Sequence, residues 1–180
     1  IISKGYYEHM LQLMKDHGVD ILIPLIDLDL QLFPRDSEVL IEMGVFSTAP
    51  VLRTFQSLSD KKMLHNTLIA LDIPTPALYE KMDIDSETTY FVKPQLGFGS
   101  RNARPMLGSE ILQQDIGECI IQEMCDFPEL TVDVFVNGDL ALTVCRERIE
   151  TKAGVCTKAR VFSCDEVSKA VQKLAKHLPL

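Results

Sequence analysis

Apolar residues recur along the first part of the chain with the periods of helices and of buried strands. Over residues 4–17 they return every three or four positions, which predicts an amphipathic helix. Residues 19–24 form a short, mostly apolar run that is typical of a strand buried in a parallel sheet. A second helix over 37–43 and a second strand over 45–46 continue the alternation. Residues 1–48 therefore predict the end of an open α/β domain whose beginning is absent.

Two aspartates stand directly after the first predicted strand. Asp27 and Asp29 come where an open α/β sheet keeps its crevice, so they could bind a ligand there. Aspartate is also favoured at helix starts, and we expect these two residues to cap the next short helix. Residues 49–58 then form a linker around Pro50, with a short helix predicted over 51–56.

From Ser59 onward the pattern changes to strands joined by short helices. Ser59 is expected to cap a helix that ends at Pro74, because proline cannot continue a helix. Four further elements are predicted in chain order: a strand over 89–92, a strand over 102–106, a helix over 110–114 capped by Ser109, and a buried strand over 119–123.

The last third of the chain predicts an antiparallel hairpin and a final helix. Residues 131–136 and 140–144 flank Asn137-Gly138, a strong hairpin signal. A further strand over 155–162 and a helix beginning at Asp165 follow. The order of elements places the chain in the mixed α/β (α+β) class.

Composition limits the classes of function. The chain has 180 residues and a formal net charge of −8, which argues against a general nucleic-acid binder but leaves room for a local basic pocket. Five cysteines without a Cys-x-x-Cys pair, together with no signal peptide, indicate reduced thiols in a cytoplasmic protein. No apolar run approaches membrane-spanning length, so we expect no membrane partner. The four histidines lack the spacing of a metal site, and nothing indicates an oligomeric state.

Residues 89–101 carry the most specific chemistry. A lysine ends an apolar strand, and the loop after it holds two glycines, a serine and an arginine. Glycines let backbone N–H groups turn toward an anion, while lysine and arginine add positive charge. Residues 89–101 therefore predict a loop that binds phosphate. On this stretch alone, an ordinary hairpin loop with solvated charges is equally compatible with the sequence. The residues concerned are Lys93, Gly97, Gly99, Ser100 and Arg101.

Several short motifs follow one another in a characteristic order. They are residues 59–61 opening a helix, 91–94 with the glycine loop, 121–123 at a strand end and 128–133 entering the hairpin, together with the flanking segments 23–30 and 146–154. Each motif alone is a weak signal. The ordered set resembles the ATP-grasp superfamily, and most closely its carbamoyl-phosphate synthase large-subunit-like members.

This resemblance covers nearly the whole chain and implies its domain organisation. Residues 1–48 would be the end of a Rossmann-like pre-ATP-grasp domain, and 49–58 a linker. Residues 59–123 would form the ATP-grasp small lobe with its glycine-rich phosphate loop. Residues 124–180 would begin the large lobe. The expected fold is therefore a partial ATP-grasp fold of two α+β lobes, and the polypeptide would be a fragment of a longer protein.

The resemblance also assigns ATP-binding residues. Lys61 and Lys93 would reach the phosphates, with Lys93 also near the adenine edge, although Lys61 read alone could be a solvated side chain. Gly97, Gly99, Ser100 and Arg101 would belong to a flap over the β- and γ-phosphates. Asn102 stands where relatives often have glycine, a mild departure because asparagine tolerates the left-handed conformation.

Three residues at the end of a strand, and a fourth beyond it, would hold the nucleoside. Glu123 would accept a hydrogen bond from the adenine amino group, and Met124 and Cys125 would offer backbone groups at a hinge between the lobes. Glu129 would bind both ribose hydroxyls. Without the resemblance, Glu123 could also be a surface charge at a strand end. Phe127 and Pro128 replace a turn that usually contains glycine, so the shape of that loop is open.

A basic segment follows in the second hairpin. Between residues 141 and 160 there are five basic residues against two acidic ones. Arg146 and Arg148 are two positions apart and share one face of a strand. The resemblance makes them the catalytic pair that would stabilise charge during phosphoryl transfer to a carboxylate. A polar outer face of a hairpin is the alternative.

The implied activity is that of an ATP-dependent carbon–nitrogen ligase. A carboxylate or bicarbonate would be phosphorylated by ATP, and an amine donor would then displace phosphate from the acyl phosphate. Mg²⁺ would be required, but no Glu-x-Asn segment follows Arg160, so we expect the metal ligands outside this chain and the chain alone to be inactive. Two alternatives remain: a nucleotide-binding or regulatory module, or an α/β domain for another anionic ligand.

Overall fold

The protein is described here by a computed structural model covering residues 5–97, 102–126, 129–137, 140–152 and 155–178. The chain divides into two compact units, with the division between Leu58 and Ser59. Helices and several sheets alternate through both units, which confirms the predicted mixed α/β class.

The first unit is a small α/β arrangement. Its elements are α1 (Tyr6–Asp16), β1 (Ile21–Leu22), α2 (Asp27–Leu32), α3 (Glu38–Glu42), β2 (Phe46–Ser47) and α4 (Leu52–Ser59), of which the last residue already belongs to the second unit. β1 and β2 pair in parallel, as predicted, but the expectation of a buried strand is wrong, because Ile21, Ile23 and Phe46 are exposed. A core of four buried side chains joins the helices to this sheet: Met14, Phe33, Leu40 and Val45.

The two aspartates after β1 do not act as the expected helix cap. Ile26 occupies the N-cap position of α2, while Asp27 and Asp29 lie inside its first turn. Carboxylates are stabilised there by the positive end of the helix dipole. Asp29 also accepts a hydrogen bond from the Tyr6 hydroxyl at 2.8 Å, which raises the pKa of Tyr6. These residues therefore have a structural contact within the first unit.

The second unit begins with a helix and a four-stranded antiparallel sheet. Its first elements are α5 (Lys61–Ala70), β3 (Leu78–Tyr79), a 3₁₀ turn (Lys81–Asp83), β4 (Thr89–Pro94), β5 (Arg104–Leu107), α6 (Gly108–Gln113) and β6 (Cys119–Gln122). The strands lie in the order β3-β6-β4-β5. The core on one face of this sheet contains Ile84, Tyr90, Val92, Met106, Ile111 and Ile121.

Two predicted helix caps are wrong in this unit. Ser59 ends α4, and the α5 cap is Asp60, whose carboxylate accepts from the N–H groups of Lys62 and Met63. Ser109 lies inside α6 rather than before it. Helix α5 starts one residue later than predicted, because the Asp60 carboxylate caps it. Helix α6 starts two residues earlier than predicted, at Gly108.

Gly108 explains the start of α6. A Cβ atom at this position would lie 1.8 Å from the Asp85 carbonyl oxygen, so a residue with a side chain would force the two segments apart. The Gly108 N–H also donates to the Thr88 carbonyl oxygen at 2.8 Å. This close approach brings α6 onto the end of β5.

A three-stranded antiparallel sheet and a helix complete the second unit. They are β7 (Leu130–Asn137), β8 (Leu140–Lys152), β9 (Val155–Phe162) and α7 (Asp165–His177). The predicted hairpin is present, but Asn137 pairs with Leu140 and so belongs to the strand ladder, whereas a two-residue turn at Asn137-Gly138 would have left Asn137 in the turn. β8 is longer than the predicted strand over 140–144. The Thr143 and Ser168 hydroxyl oxygens, 2.6 Å apart, join β8 to α7.

Candidate functional site

Strand β4 places Lys93 on the sheet face opposite the core. Tyr90 and Val92 are buried in the core cluster, and side chains alternate along a strand, so Phe91 and Lys93 share the other face. Lys93 is half-buried, with its Nζ 6.0 Å from the centroid of the Phe91 ring. The ammonium group is attracted to the face of this ring and has three N–H donors that an anionic ligand could accept from.

The charge on Lys93 is held in an unfavourable environment. Burial lowers the pKa of Lys93 below its ordinary value of 10.5, and the neighbouring Lys61 lowers it further, while Cys125 acts in the opposite direction. Lys61 and Cys125, which the sequence assigned to the same site as Lys93, therefore act electrostatically on Lys93 although they are far from it in the chain. Two ammonium groups that repel each other form a place where phosphate oxygens would be stabilised.

Lys61 lies at the first position of α5 and reaches the segment after β4. Its Nζ donates to the Gly97 carbonyl oxygen at 3.0 Å and to the Gln95 carbonyl oxygen at 3.4 Å. The Gln95 side-chain amide donates to the Asp60 Oδ2 at 2.8 Å. Lys61 therefore contacts the start of the glycine loop. A side chain that was only solvated would not make these two contacts with backbone carbonyl oxygens.

The predicted glycine loop is described only at its start. Gly97 has φ = 114°, a conformation that residues with side chains rarely adopt. Gly99, Ser100 and Arg101 lie outside the described residues. After the loop, Asn102 has φ = 60°, so this asparagine does adopt the left-handed conformation expected at a position where relatives often carry glycine.

Glu123 is held at the end of β6 by two hydrogen bonds with Ala77. The Glu123 N–H donates to the Ala77 carbonyl oxygen at 2.9 Å, and the Ala77 N–H donates to the Glu123 Oε2 at 3.1 Å. A carboxylate has about four acceptor positions, so this contact leaves capacity for a ligand. Met124 and Cys125 follow as exposed residues outside the strand. The end of β6, the strand that pairs with β4, thus presents an oriented carboxylate.

On the three-stranded sheet, the other predicted residues form ion pairs. The Arg148 guanidinium donates to the Glu129 Oε1 at 3.0 Å. Arg146 binds both oxygens of Asp133, at 2.5 and 2.9 Å, and this hydrogen bonding holds the pKa of Asp133 below its ordinary value of 3.8. Each predicted arginine therefore already contacts a carboxylate from the neighbouring part of the chain.

Three participants at these sites were not among the predicted site residues. Gln95 is a polar residue next to a predicted loop, and sequence alone offered no partner for it. Asp60 was noted only as part of a helix-opening motif. Asp133 was not predictable from the hairpin signal, because a two-residue turn at Asn137-Gly138 would place Thr131 opposite Val144. The observed register places Thr131 opposite Arg146, with Asp133 two positions away on the same strand face.

The second unit also contains a pocket of about 290 Å³ at the end of β3 and the start of β6. Two lysines line it, but neither Lys93 nor Glu123 does. Lys62 pairs there with Glu80, and the Lys81 Nζ donates to a backbone carbonyl oxygen at 2.8 Å. The cations of this pocket thus already have acceptors.

The described residues fit a nucleotide better than a metal ion. Two ammonium groups, an apolar ring and an oriented carboxylate match phosphate, a base and an amino group respectively. In the described ranges, no three His, Cys, Asp or Glu side chains come together as metal ligands. Likewise, no helix in the described part of the chain is long and apolar enough to cross a membrane.

Comparison with known proteins points to one family. The model of the ATP-grasp domain matches residues 58–180, about two thirds of the chain. A search of curated proteins found no match. The family match covers all the predicted site residues of the second unit.

Solved structures with a similar fold include three enzymes. The L-amino acid ligase from Bacillus licheniformis aligns over 96% of this chain with a TM-score of 0.64 and 13% identity. D-alanyl-alanine synthetase A from Vibrio cholerae aligns over 87% with a TM-score of 0.58 and 16% identity. Pyruvate carboxylase from Rhizobium etli aligns over 93% with a TM-score of 0.62 and 13% identity.

These likenesses concern the fold, because the identities are low. The chain spans 46% of the L-amino acid ligase, 57% of the D-alanyl-alanine synthetase and 18% of the pyruvate carboxylase. The chain thus spans about half of each of the two ligases and less than a fifth of the pyruvate carboxylase.

Proposed function

The chain belongs to the ATP-grasp family, and from this premise we propose that it is the ATP-binding part of an ATP-dependent carboxylate–amine ligase. The observation that carries the proposal is the pairing of Lys61 and Lys93 beside the start of the glycine loop. The Lys61 charge disfavours the half-buried Lys93 ammonium, and a bound anion would offset this repulsion. A triphosphate supplies that charge.

The same unit offers contacts for the rest of a nucleotide. Glu123 is oriented by Ala77 and would accept a hydrogen bond from an exocyclic amino group, as adenine has. Met124 and Cys125 would contribute backbone groups to the base. Glu129 would bind the ribose hydroxyls, since its two oxygens match a cis-diol. This assignment is a proposal that rests on the family and on the contacts of Lys93 and Glu123.

The reaction would proceed through an acyl phosphate. An oxygen of the carboxylate substrate would bond to the γ-phosphorus while the bond from that phosphorus to its bridging oxygen breaks, leaving ADP. The amine would then attack the acyl carbon, and phosphate would leave. Arg146 and Arg148 would stabilise the negative charge on the transferred group, and to do so their guanidinium groups would exchange Asp133 and Glu129 for phosphoryl oxygens.

The substrate class is the finer part of the proposal. Two structural neighbours are named as an L-amino acid ligase and a D-alanyl-alanine synthetase, so an amino acid would be a suitable first acceptor to test. The resemblance to carbamoyl-phosphate synthase in residues 146–154 suggests bicarbonate as a second. We propose a cytoplasmic location on the basis of the five thiols, none of which forms a disulfide.

Magnesium is not assigned to residues of this chain. The proposal places the magnesium ligands in another part of the protein, since among the described residues no three His, Cys, Asp or Glu side chains come together. We therefore propose that this polypeptide binds ATP without turning it over. Sustained release of phosphate from ATP, measured with bicarbonate or an amino acid present, would contradict this proposal.

A calorimetric titration with ATP tests the nucleotide site. We expect wild type to bind, and Lys93→Ala and Glu123→Ala each to weaken binding about tenfold or more, because each removes a charged hydrogen-bonding group. Lys62→Ala is the matched control, since Lys62 follows Lys61 on α5 but pairs with Glu80. If only Lys93→Ala loses binding, the protein binds an anion without reading adenine. A folded wild type that binds no ATP would overturn the proposal.

A further inference from the structure

A side-chain hydrogen bond ties the start of helix α5 to the segment that follows strand β4. The Asp60 Oδ1 caps the helix by accepting from the N–H groups of Lys62 and Met63, at 2.9 and 3.0 Å. The other carboxylate oxygen, Oδ2, accepts from the Gln95 amide at 2.8 Å. One carboxylate therefore serves two segments that are 35 residues apart in the chain.

Lys61 is attached to the same segment through both its backbone and its side chain. Its N–H donates to the Gln95 carbonyl oxygen at 3.1 Å, and its Nζ lies 3.4 Å from that same oxygen. The Nζ also donates to the Gly97 carbonyl oxygen at 3.0 Å. The position of this ammonium group thus depends on how residues 95–97 are held against the first turn of α5.

This attachment opposes a repulsion. Lys61 is close enough to Lys93 for the two charges to disfavour each other. A lysine side chain has a flexible four-carbon stem and would move away from a like charge toward water. Carbonyl acceptors on the loop and the nearby Asp60 carboxylate keep it in place.

We propose that Asp60 and Gln95 are positioning residues, which hold the Lys61 ammonium beside Lys93 so that both cations face the phosphates of the bound nucleotide. This inference rests on the proposed function. An ammonium group fixed in advance loses less conformational freedom when the ligand binds, so binding is tighter. The Asp60–Gln95 hydrogen bond would act on affinity through Lys61 without contacting the nucleotide.

A plain helix cap would account for Asp60 alone, and the substitutions are chosen to separate the two roles. The Asp60→Asn variant keeps a capping oxygen, since asparagine is among the best N-cap residues. Its side-chain amide, however, would present a donor to the Gln95 donor, so Gln95 would have to leave its present orientation and turn its amide over to restore a hydrogen bond. Gln95→Glu would place a second carboxylate opposite Asp60. The double variant D60N/Q95E restores one donor and one acceptor in the reverse direction, and its formal charge equals that of wild type.

The experiment measures dissociation constants for ATP and for adenosine in wild type, both single variants, the double variant and Lys62→Ala. Each single variant is expected to bind ATP about fivefold or more weakly and adenosine unchanged, because adenosine has no phosphates for Lys61 to bind. The double variant should recover to within about twofold of wild type. Lys62→Ala should match wild type, and melting temperatures verify that each variant is folded.

Charge alone predicts a different outcome for Asp60→Asn. Removing a negative charge near the phosphates would strengthen ATP binding, whereas the positioning role predicts weaker binding. Stronger or unchanged ATP binding in Asp60→Asn would overturn the inference, as would equal losses for ATP and adenosine or additive losses in the double variant. If wild type binds ATP and Lys93→Ala does not, the nucleotide site stands. Any of these results then overturns only the positioning role of Asp60 and Gln95. If wild type binds no ATP, the nucleotide site itself is wrong.

Discussion

The Glu129 carboxylate and the Arg148 guanidinium are bound to each other, with Oε1 and the nearer nitrogen 3.0 Å apart. In the proposed complex they serve opposite ends of the nucleotide, the ribose and the transferred phosphoryl group. Binding of the ligand would therefore have to compete with this pair. An exposed ion pair contributes only about 0–1 kcal/mol, so a nucleotide can displace it at small cost.

The first prediction concerns the ribose. Glu129→Gln should weaken ATP binding and leave binding of 2′,3′-dideoxy-ATP unchanged, because the dideoxy compound lacks both hydroxyls that the carboxylate would accept from. We expect the variant to bind ATP with the same affinity with which wild type binds the dideoxy compound. This affinity should be about tenfold lower than that of wild type for ATP. Competition against a fluorescent nucleotide measures both.

Glu147→Gln is the control for this experiment. Glu147 lies in the same strand as Arg148, but pairs with Arg160. Its removal should leave both affinities unchanged. An equal loss of ATP and dideoxy-ATP affinity in Glu129→Gln would show that this residue does not read the ribose.

The second prediction separates stability from binding at Lys93. Burial lowers the pKa of Lys93 in the folded protein, so the unfolded chain binds more protons between that pKa and 10.5. The free energy of unfolding should rise with pH through this window. Lys93→Met removes the cost of the buried charge and should be more stable than wild type near neutral pH, yet bind ATP at least about tenfold more weakly.

Chemical denaturation at several pH values, together with the ATP titration, measures both effects. Wild type should gain stability relative to Lys93→Met as the pH approaches 10.5 from below. Lys93→Arg provides the comparison, since arginine keeps its charge throughout this range. A Lys93→Met variant that is less stable at neutral pH would mean that the ammonium contributes net stabilising contacts in the unliganded protein.

The third prediction concerns the base. Glu123→Gln exchanges one acceptor oxygen for a donor at the position proposed to face the adenine amino group. ATP affinity should fall about tenfold relative to GTP affinity, because guanine carries an acceptor oxygen where adenine carries the amino group. Stability should change little, since the glutamine oxygen can still accept from the Ala77 N–H.

Glu80→Gln, at an exposed residue that pairs with Lys62, is a suitable control for the change of charge. It should leave the ratio of ATP to GTP affinity unaltered. The adenine role of Glu123 is wrong if its substitution lowers both affinities by the same factor.

The fourth prediction concerns acid pH. Hydrogen bonding to Arg146 lowers the pKa of Asp133, so this pair stabilises the fold above pH 3.8 and loses that contribution as the pH falls through the folded-state pKa. In Arg146→Gln the pKa of Asp133 should rise toward 3.8, as followed by carbon NMR of the carboxyl group. Arg160→Gln removes a guanidinium bound to Glu147 instead, and should leave the Asp133 titration where it is in wild type.

Local patterns were sufficient to predict most elements of the fold. β9 coincides with the predicted strand over 155–162, and β7 and β8 form the hairpin predicted around Asn137-Gly138, although Asn137 itself pairs with Leu140. The cap of α5 was predicted wrongly because two residues that can cap a helix are adjacent in the chain. Ser59 and Asp60 both favour a cap position, and only the fold shows that α4 extends through Ser59.

The candidate site was predictable in part. The family resemblance supplied Lys61, Lys93 and Glu123. In the structure the Lys61 charge acts on Lys93, and the Ala77 N–H orients the Glu123 carboxylate. Contacts such as Gln95 with Asp60 depend on how two distant segments approach, which no local pattern contains.

The most direct test of the nucleotide site is a map of backbone amide shifts in the NMR spectrum of the isotope-labelled chain as ATP is added. We predict shifts concentrated in residues 61–63, 91–97 and 122–126, with residues 6–47 unperturbed. The same titration with inorganic triphosphate should move 61–63 and 91–97 but not 122–126. Shifts confined to residues 6–47, or none at millimolar ATP, would contradict the proposal that this protein binds ATP on the face of Lys93.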